Sequence, residues 1–270
     1  MKRLLITFFL FVPMLLFSQT ESIVYRDSTV GDNHVFLNFS GGLGVGVFRD
    51  MGTYPFSYKG IEICPRMSVD VRRQMWRFET SIDICGGMYG NLGGGELLPA
   101  FGGQPSLKFQ TIHKFADNGR LQFWAGGAID ELCDIRSNSS LGNANLALSS
   151  FTRLILSGRI EFVCNVHWLF FAQADLAPMA YAYRPGFSYI SNFDQNPGNP
   201  VANVFDQFHG YVVGVPSVAT QVGATLALAN GNGLSLAYQW HHITSRTSDL
   251  CPHRFDQASH LFTFTLHFAI

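Results

Sequence analysis

Residues 61–72 read Ile-Glu-Ile-Cys-Pro-Arg-Met-Ser-Val-Asp-Val-Arg, and this stretch separates apolar from polar side chains by position. The odd-numbered positions carry the apolar side chains, and the even-numbered positions carry every charge in the segment. Successive side chains of a β-strand point to opposite faces of the sheet. The stretch therefore predicts a strand with one apolar face and one charged face.

The same alternation recurs along the chain and predicts about ten strands. The other segments that show it are 35–48, 77–88, 107–115, 121–136, 146–163, 168–183, 218–228, 234–244 and 259–270. In segment 168–183 it places Tyr181 and Tyr183 on the polar face. In segment 121–136, Glu131 and Leu132 are out of phase, which predicts a β-bulge or a strand end.

The connections between these segments alternate in length. The short ones are 73–76, 116–120, 164–166 and 229–233. The long ones are 49–60, 90–105, 137–144, 184–216 and 245–257. Transmembrane β-barrels have short periplasmic turns, long outer loops and an even number of strands. With ten strands, both termini fall on the side of the short turns, as an even count requires.

A soluble lipocalin-like barrel and a β-sandwich are the alternative folds. Both would bury the apolar face in a core, and neither requires long and short connections to alternate. A lipid bilayer instead requires the apolar face to point outward and the sheet to close. We therefore expect an all-β, antiparallel, up-and-down transmembrane barrel over residues 34–270, in contact with outer-membrane lipid.

The N-terminus has the features of a secretory signal peptide. Lys2 and Arg3 precede an almost wholly apolar run over 4–17, and the small Ser18 comes before a polar stretch. A run of about 14 residues is shorter than the ~20 that a membrane-spanning helix needs. We expect a cleaved signal at 1–18 and a periplasmic arm at 19–33.

Composition excludes two broad classes. Of the 270 residues, 47% are hydrophobic and 14% are charged, whereas disordered chains are charged and poorly hydrophobic. The chain has 18 Lys and Arg against 19 Asp and Glu, so it lacks the basic excess of a nucleic-acid-binding protein. We expect no nucleic-acid partner.

The end of the chain resembles the last strand of Gram-negative outer-membrane β-barrel proteins. Its apolar stripe consists of Phe264, Leu266, Phe268 and Ile270. That family usually ends on an aromatic residue, whereas here two residues follow Phe268. The resemblance implies a location in the cell outer membrane and recognition by the barrel-assembly machinery. The junction at 16–19 is similar to signal ends of Bacteroidota-type proteins.

The polar faces of the predicted strands carry charges of both signs. They form a predicted lumen charge network of Glu62, Arg66, Asp70, Arg72, Arg77, Glu79, Asp83, Asp130, Asp134, Arg153, Arg159, Glu161 and Asp175, with Lys108 and Arg136 on the same faces. Such a set could line an ion-selective pore or hold catalytic carboxylates. A barrel of about eight strands is filled by its side chains, whereas open channels need about sixteen. We therefore expect a lumen largely filled by paired charges.

Two kinds of barrel enzyme serve as references for catalysis. Barrel proteases of the omptin type use acidic pairs and an Asp-x-His pair, and Asp83, Asp130, Asp134 and His241 are the residues of matching type. Gln239 stands at the position of the aspartate in that pair. Barrel phospholipases pair a His with a nearby Ser, a spacing that His209 and Ser217 do not reproduce. We expect no catalytic residue of either kind.

Metal binding and cofactors are not expected either. The last outer-loop region contains His241, His242, Cys251, His253 and His260, but without the tight spacing of a metal site. The chain has no Cys-x-x-Cys, His-Glu-x-x-His or phosphate-loop motif.

The first predicted hairpin suggests a disulfide. A turn centred between Gln74 and Met75 pairs residues whose numbers sum to 149, and this brings Cys64 opposite Cys85 on the inward face. Opposed strand residues lie within disulfide reach, and exported proteins fold in an oxidising compartment. The register also opposes like charges, namely Asp70 with Glu79 and Arg72 with Arg77. Two free thiols are the alternative, and Cys164 is expected to stay unpaired.

Three functions are consistent with these observations. The first is a structural or accessory barrel that displays outer loops, with the aromatic-containing segment 184–216 contacting an extracellular or membrane-protein partner. The second is a narrow transporter for a small or lipophilic solute. The third is an embedded hydrolase.

Overall fold

A computed structural model describes residues 34–50, 54–91, 100–138, 146–185, 208–245 and 254–270. The predicted signal peptide and periplasmic arm lie outside this range. The strands are β1 His34–Asp50, β2 Tyr54–Arg72, β3 Trp76–Asn91, β4 Ala100–Asp117, β5 Leu121–Ser137, β6 Leu146–Val163, β7 Trp168–Pro185, β8 Phe208–Ala227, β9 Gly233–Ser245 and β10 Phe255–Ala269. Within the described residues, no helix is long and apolar enough to cross a membrane.

The ten strands form one closed antiparallel barrel, as the alternation predicts. Each strand pairs with its neighbours in the sequence, and β1 pairs with β10 to close the sheet. The closing seam runs from Phe36, opposite Ala269, to Asp50, opposite Phe255. The backbone N–H of Ile270 donates to Val35 O at 3.0 Å, so the last residue of the chain is part of this seam.

The two faces of the strands separate apolar from charged residues. In β2, Ile61 and Ile63 are each 62% exposed on the outer surface, whereas Glu62 between them is 2% exposed inside the barrel. A soluble protein would bury the isoleucines instead. An apolar exterior around a polar interior is the arrangement that a bilayer requires.

Two of the short turns contain a glycine in a backbone conformation that other residues rarely adopt. Gly119 and Gly231 adopt φ values of 83° and 81°, in the left-handed region that favours glycine. The side chain of Asp117 accepts a hydrogen bond from the Gly119 N–H at 2.7 Å, and that of Asn118 accepts one from the Leu121 N–H at 2.7 Å. These bonds hold the β4–β5 turn closed, and the Val163 N–H of β6 adds a hydrogen bond to Arg120 O at 2.7 Å.

Most strands extend further toward the long connections than the alternation predicts. β4 begins at Ala100 rather than 107, β8 at Phe208 rather than 218, and β10 at Phe255 rather than 259. Predicted loop 184–216 is therefore partly strand, and its remainder, 186–207, lies outside the described residues. The strands have 13 to 20 residues, whereas crossing a bilayer takes about 9–11. The barrel thus projects beyond the membrane, where the outer face need not be apolar.

The prediction that Tyr181 and Tyr183 face the lumen is wrong. In the ladder between β6 and β7, Leu176 pairs with Leu156 and Met179 with Leu154, so β7 has one residue more than β6 between these pairs, which inverts the alternation beyond this point. Tyr181 is consequently 51% exposed on the outer surface, and Ala180 is buried inside. A β-bulge at Pro178, which has no N–H to donate to the ladder, accounts for the inversion.

The predicted irregularity at Glu131 and Leu132 is not a bulge. The β5–β6 ladder keeps one register through both residues, with Glu131 opposite Thr152 and Leu132 opposite Phe151. Leu132 is buried inside the barrel. Glu131 faces outward and accepts a hydrogen bond from the Thr152 hydroxyl at 2.5 Å. The strand therefore continues without interruption, with an apolar residue pointing into the lumen and a charged residue pointing outward at these two positions.

Candidate functional site in the barrel lumen

The lumen contains a balanced set of ionisable side chains. In the described strands nine carboxylates point inward, namely Asp50, Glu62, Asp70, Glu79, Asp83, Asp130, Asp134, Glu161 and Asp175. Nine basic side chains also point inward, namely Arg66, Arg72, Arg77, Lys108, Lys114, Arg136, Arg153, Arg159 and Arg184. All residues of the predicted charge network thus lie in one interior, and the charges of the described lumen cancel when Asp50, Lys108, Lys114, Arg136 and Arg184 are included.

At the outer end of the lumen, aromatic and charged side chains from several strands form a buried cluster. The Arg136 guanidinium lies between two rings, 4.2 Å from the centroid of Phe48 and 4.4 Å from that of Phe255. The same guanidinium pairs with Asp134 at 2.7 Å and with Asp50 at 3.8 Å. These contacts join β1, β5 and β10 across the barrel.

Arg184 completes this cluster from β7. Its guanidinium pairs with Asp50 at 2.9 Å and donates to the hydroxyls of Ser149 and Ser245, each at 3.2 Å. We call Phe48, Asp50, Asp134, Arg136, Arg184 and Phe255 the outer plug. The sequence prediction assigns Asp50 and Arg184 to loops and so misses both. The parity of β1, which puts Phe48 and Asp50 on one face, is the signal that identifies Asp50.

Below the outer plug, the lumen holds a chamber of about 210 Å³. Its lining runs from Glu62 and Gln104, beneath the plug, to Arg72 and Arg77 at the periplasmic end. Three ion pairs form the walls at mid-height, namely Arg66–Glu79 at 2.7 Å, Lys108–Asp175 at 2.7 Å and Arg153–Asp130. The chamber is polar and has room for about seven waters at ~30 Å³ each.

At the periplasmic end, the like charges that oppose each other in the hairpin register are neutralised diagonally. Asp70 pairs with Arg72 at 2.7 Å and with Arg77 at 2.9 Å, so one carboxylate compensates both guanidiniums. Glu79 and Glu161 each lie 3.6 Å from Arg77. The objection that these like charges raise against the register is therefore removed by diagonal pairs.

The first hairpin also contains the disulfide between Cys64 and Cys85, whose Cα atoms are 4.0 Å apart. This is the pair that the register predicts, and both residues line the chamber. Among the described cysteines, Cys133 and Cys164 are free. Cys251 lies outside the described residues.

The residues proposed for omptin-type or phospholipase-type catalysis do not form the required pairs. His241 Nε2 contacts Arg153 at 3.1 Å, and Asp130 pairs with the same arginine from its other side. His209 lies on the inward face of β8, opposite Arg184, but is exposed at the outer rim, whereas Ser217 is buried deeper in the lumen and accepts a hydrogen bond from Arg153.

The residues considered for metal binding are dispersed. His241 faces the lumen and His242 the outside, while Cys251 and His253 lie outside the described residues. Within the part of the chain that the structure describes, no three His, Cys, Asp or Glu side chains are arranged to hold a metal ion.

Comparison with known proteins supports the fold alone. No protein-family model matches the chain, and no curated protein matches it by sequence. The outer membrane protease OmpT from Escherichia coli superposes with a TM-score of 0.53 at 8% identity, covering 90% of this chain and 100% of OmpT. The transport unit of the autotransporter AIDA-I from Escherichia coli gives 0.44 at 10% identity, covering 92% and 93%. Neisserial surface protein A gives 0.38 at 12% identity, covering 86% and 97%.

The closed ten-stranded sheet, the apolar exterior and the paired polar lumen define the class of this protein. It is a transmembrane β-barrel of the Gram-negative outer-membrane type.

Proposed function

We propose that the protein is a non-conducting outer-membrane barrel that acts as a structural or accessory protein through its outer rim and loops. The observation that carries this proposal is the outer plug. Arg136 is held there by two aromatic rings and two carboxylates, all contributed by strands rather than by loops.

The energetics of the outer plug favour a closed lumen. Opening a path requires Arg136 to leave its buried carboxylates, and disrupting a buried ion pair costs about 3–5 kcal/mol. Each 1.4 kcal/mol is a factor of ten, so the open state would be populated at about 1% or less. A barrel with this occupancy does not sustain a steady ion current.

The outer side of the barrel is the part available for interaction. Segment 184–216 begins at Arg184, which is anchored to Asp50 and Ser245 in the plug. We propose that this segment contacts an extracellular or membrane-protein partner, and that β10, with its outward Phe264 and Leu266, is read by the barrel-assembly machinery. The signal-peptide junction at 16–19 supports an origin in Bacteroidota.

Current recordings in planar lipid bilayers test the closed lumen. The wild-type protein should be open for about 1% of the recording or less, whereas Arg136→Ala should open far more often because it removes the centre of the outer plug and leaves Asp134 without its cation. Arg254→Ala is the matched control, because Arg254 is exposed outside the barrel and pairs with Asp256. Steady conductance of the wild type, or no difference between the two variants, would contradict the proposal.

A narrow transporter is the second candidate, and the chamber is the observation that favours it. The chamber of about 210 Å³ has a polar lining and lies below the outer plug in the described strands. Solute-dependent current through the wild-type protein would favour this function over a closed accessory barrel.

A further inference from the structure

A chain of side-chain hydrogen bonds links five strands at the periplasmic end of the chamber, from β8 through β9, β10 and β1 to β2. The Ser235 hydroxyl contacts His267 Nε2 at 2.6 Å, and His267 Nδ1 contacts Asn38 Oδ1 at 2.8 Å. Thr225 Oγ1 lies 2.7 Å from Ser235 Oγ, and Asn38 Nδ2 donates to Ser68 Oγ at 3.0 Å. Ser235, His267 and Asn38 all line the chamber.

The donors and acceptors along this chain can be assigned from its ends. Because the amide nitrogen of Asn38 donates to Ser68, the amide oxygen faces His267 and can only accept. His267 Nδ1 therefore carries the hydrogen, and in the neutral ring Nε2 has a free lone pair. The Ser235 hydroxyl donates to that lone pair and accepts from Thr225.

We propose that Ser235, His267 and Asn38 form a nucleophile–base–orienting triad that hydrolyses small carboxylic esters. The arrangement meets the geometric requirements of such a site: the nucleophile and base lie within hydrogen-bond reach, and a third group orients the base. Arg72 and Arg77 line the same end of the chamber, and both guanidiniums pair with Asp70.

The reaction has two steps, the acylation of Ser235 by the ester and the hydrolysis of the resulting acyl-enzyme. Ser235 Oγ bonds to the ester carbonyl carbon while its proton passes to His267 Nε2. The ester C–O bond then breaks, and the leaving alkoxide takes that proton from Nε2 and departs as an alcohol. Water next adds to the acyl group on Ser235 and gives its proton to Nε2. The acyl–Oγ bond breaks, the proton returns to Ser235 Oγ, and a carboxylic acid is released.

The substrate class follows from the size and the access of the chamber. A volume of about 210 Å³ accommodates a short acyl group rather than a polypeptide or a complete lipid. The outer plug closes one end, so substrate enters from the periplasmic end, where the Arg72 side chain is 19% exposed and His267 is half-buried. This activity does not depend on whether the lumen conducts.

A fluorophosphonate probe, which phosphonylates activated serines, tests the triad directly on the full-length mature protein in detergent micelles. We expect one phosphonyl group, mapped by peptide mass spectrometry to Ser235. Ser235→Ala should abolish the labelling, and His267→Ala or His267→Gln should slow it by about 100-fold, the usual effect of losing a general base. Ser40→Ala is the matched control, because Ser40 lines the same chamber and bonds to Thr265 instead; its labelling should match the wild type.

Two further readouts separate catalysis from a structural role. Asn38→Leu should slow both labelling and the turnover of para-nitrophenyl acetate, whereas Asn38→Asp should restore them because a carboxylate oxygen can still orient His267. The migration of unheated protein on a denaturing gel reports whether each variant keeps its barrel. Failure to label Ser235 in folded wild-type protein, or labelling unchanged in folded His267→Gln, would overturn the proposal.

Discussion

Replacing Asp70 by Asn removes the carboxylate that compensates two arginines at the periplasmic end of the lumen. Asp70 is fully buried and pairs with Arg72 and Arg77, which oppose each other directly in the β2–β3 ladder. Their guanidiniums contact the two oxygens of this one carboxylate, and two unit charges about 6 Å apart repel by about 3 kcal/mol at an effective dielectric constant of ~20. Glu79 and Glu161 remain near Arg77 and limit the loss.

We expect Asp70→Asn to lower the free energy of unfolding by about 3 kcal/mol, the low end of the 3–5 kcal/mol reported for breaking buried ion pairs. Urea unfolding of the protein refolded into lipid vesicles, followed by tryptophan fluorescence, measures this difference. Asp256→Asn is the matched control, since its partner Arg254 is 62% exposed, and it should cost less than about 1 kcal/mol.

A double variant makes the test specific to the proposed pairing. Removing Arg77 as well, as Arg77→Gln, should recover part of the lost stability because the repulsion with Arg72 disappears. Two results would contradict this pairing. The first is that Asp70→Asn lowers the free energy of unfolding no more than Asp256→Asn does. The second is that the effects of Asp70→Asn and Arg77→Gln on that free energy simply add. In either case the pairing of Asp70 with both arginines would not stabilise the barrel.

Three other predictions concern the barrel as a whole. Val69→Arg on the lipid-facing surface should lower the free energy of unfolding by about 2–4 kcal/mol and reduce the yield of assembled protein. Lys59→Arg at the outer rim should leave both unchanged. Equal yields from the two variants would mean that the faces are reversed. Peptide mapping without reduction should find Cys64 linked to Cys85 and Cys164 free for alkylation, and alkylation of both Cys64 and Cys85 would refute this. The purified mature protein should be β-rich and require detergent, so a monodisperse detergent-free preparation with native structure would contradict a membrane barrel.

Inside the membrane span, strand identity and facing were predictable because lipid imposes a strict rule on every second residue. β2 shows this: its isoleucines face outward and its charges inward, as the parity of 61–72 indicates. Beyond the membrane-spanning part of the strands, the outer face is in water and can carry either apolar or polar residues. The alternation of apolar and polar residues is therefore not required there. That is why Asp50 and Arg184 were assigned to loops although both lie in strands.

The bulge at Pro178 was missed for a related reason. The bulge adds one residue to β7 and so exchanges the inward and outward positions that follow it. A tyrosine such as Tyr181 is compatible with either the lumen or the outer surface. The sequence therefore contains no misplaced residue that would indicate the bulge. Proline within a long alternating run was the available signal, since it cannot donate to the ladder.

The sequence by itself determined the ten strands, their apolar faces and the register that joins Cys64 to Cys85. It also determined which charged residues face the lumen, with few exceptions. These features depend on residues that are near in sequence and on hairpin turns. Only the tertiary structure decided which side chains meet across the lumen. Lys108 pairs with Asp175, 67 residues away, across the lumen, and Asn38 bonds to His267, 229 residues away, across the seam between β1 and β10. These partners depend on the closure of the sheet between β1 and β10 and on the tilt of its strands. Both are properties of the whole barrel, so no local sequence pattern predicts them.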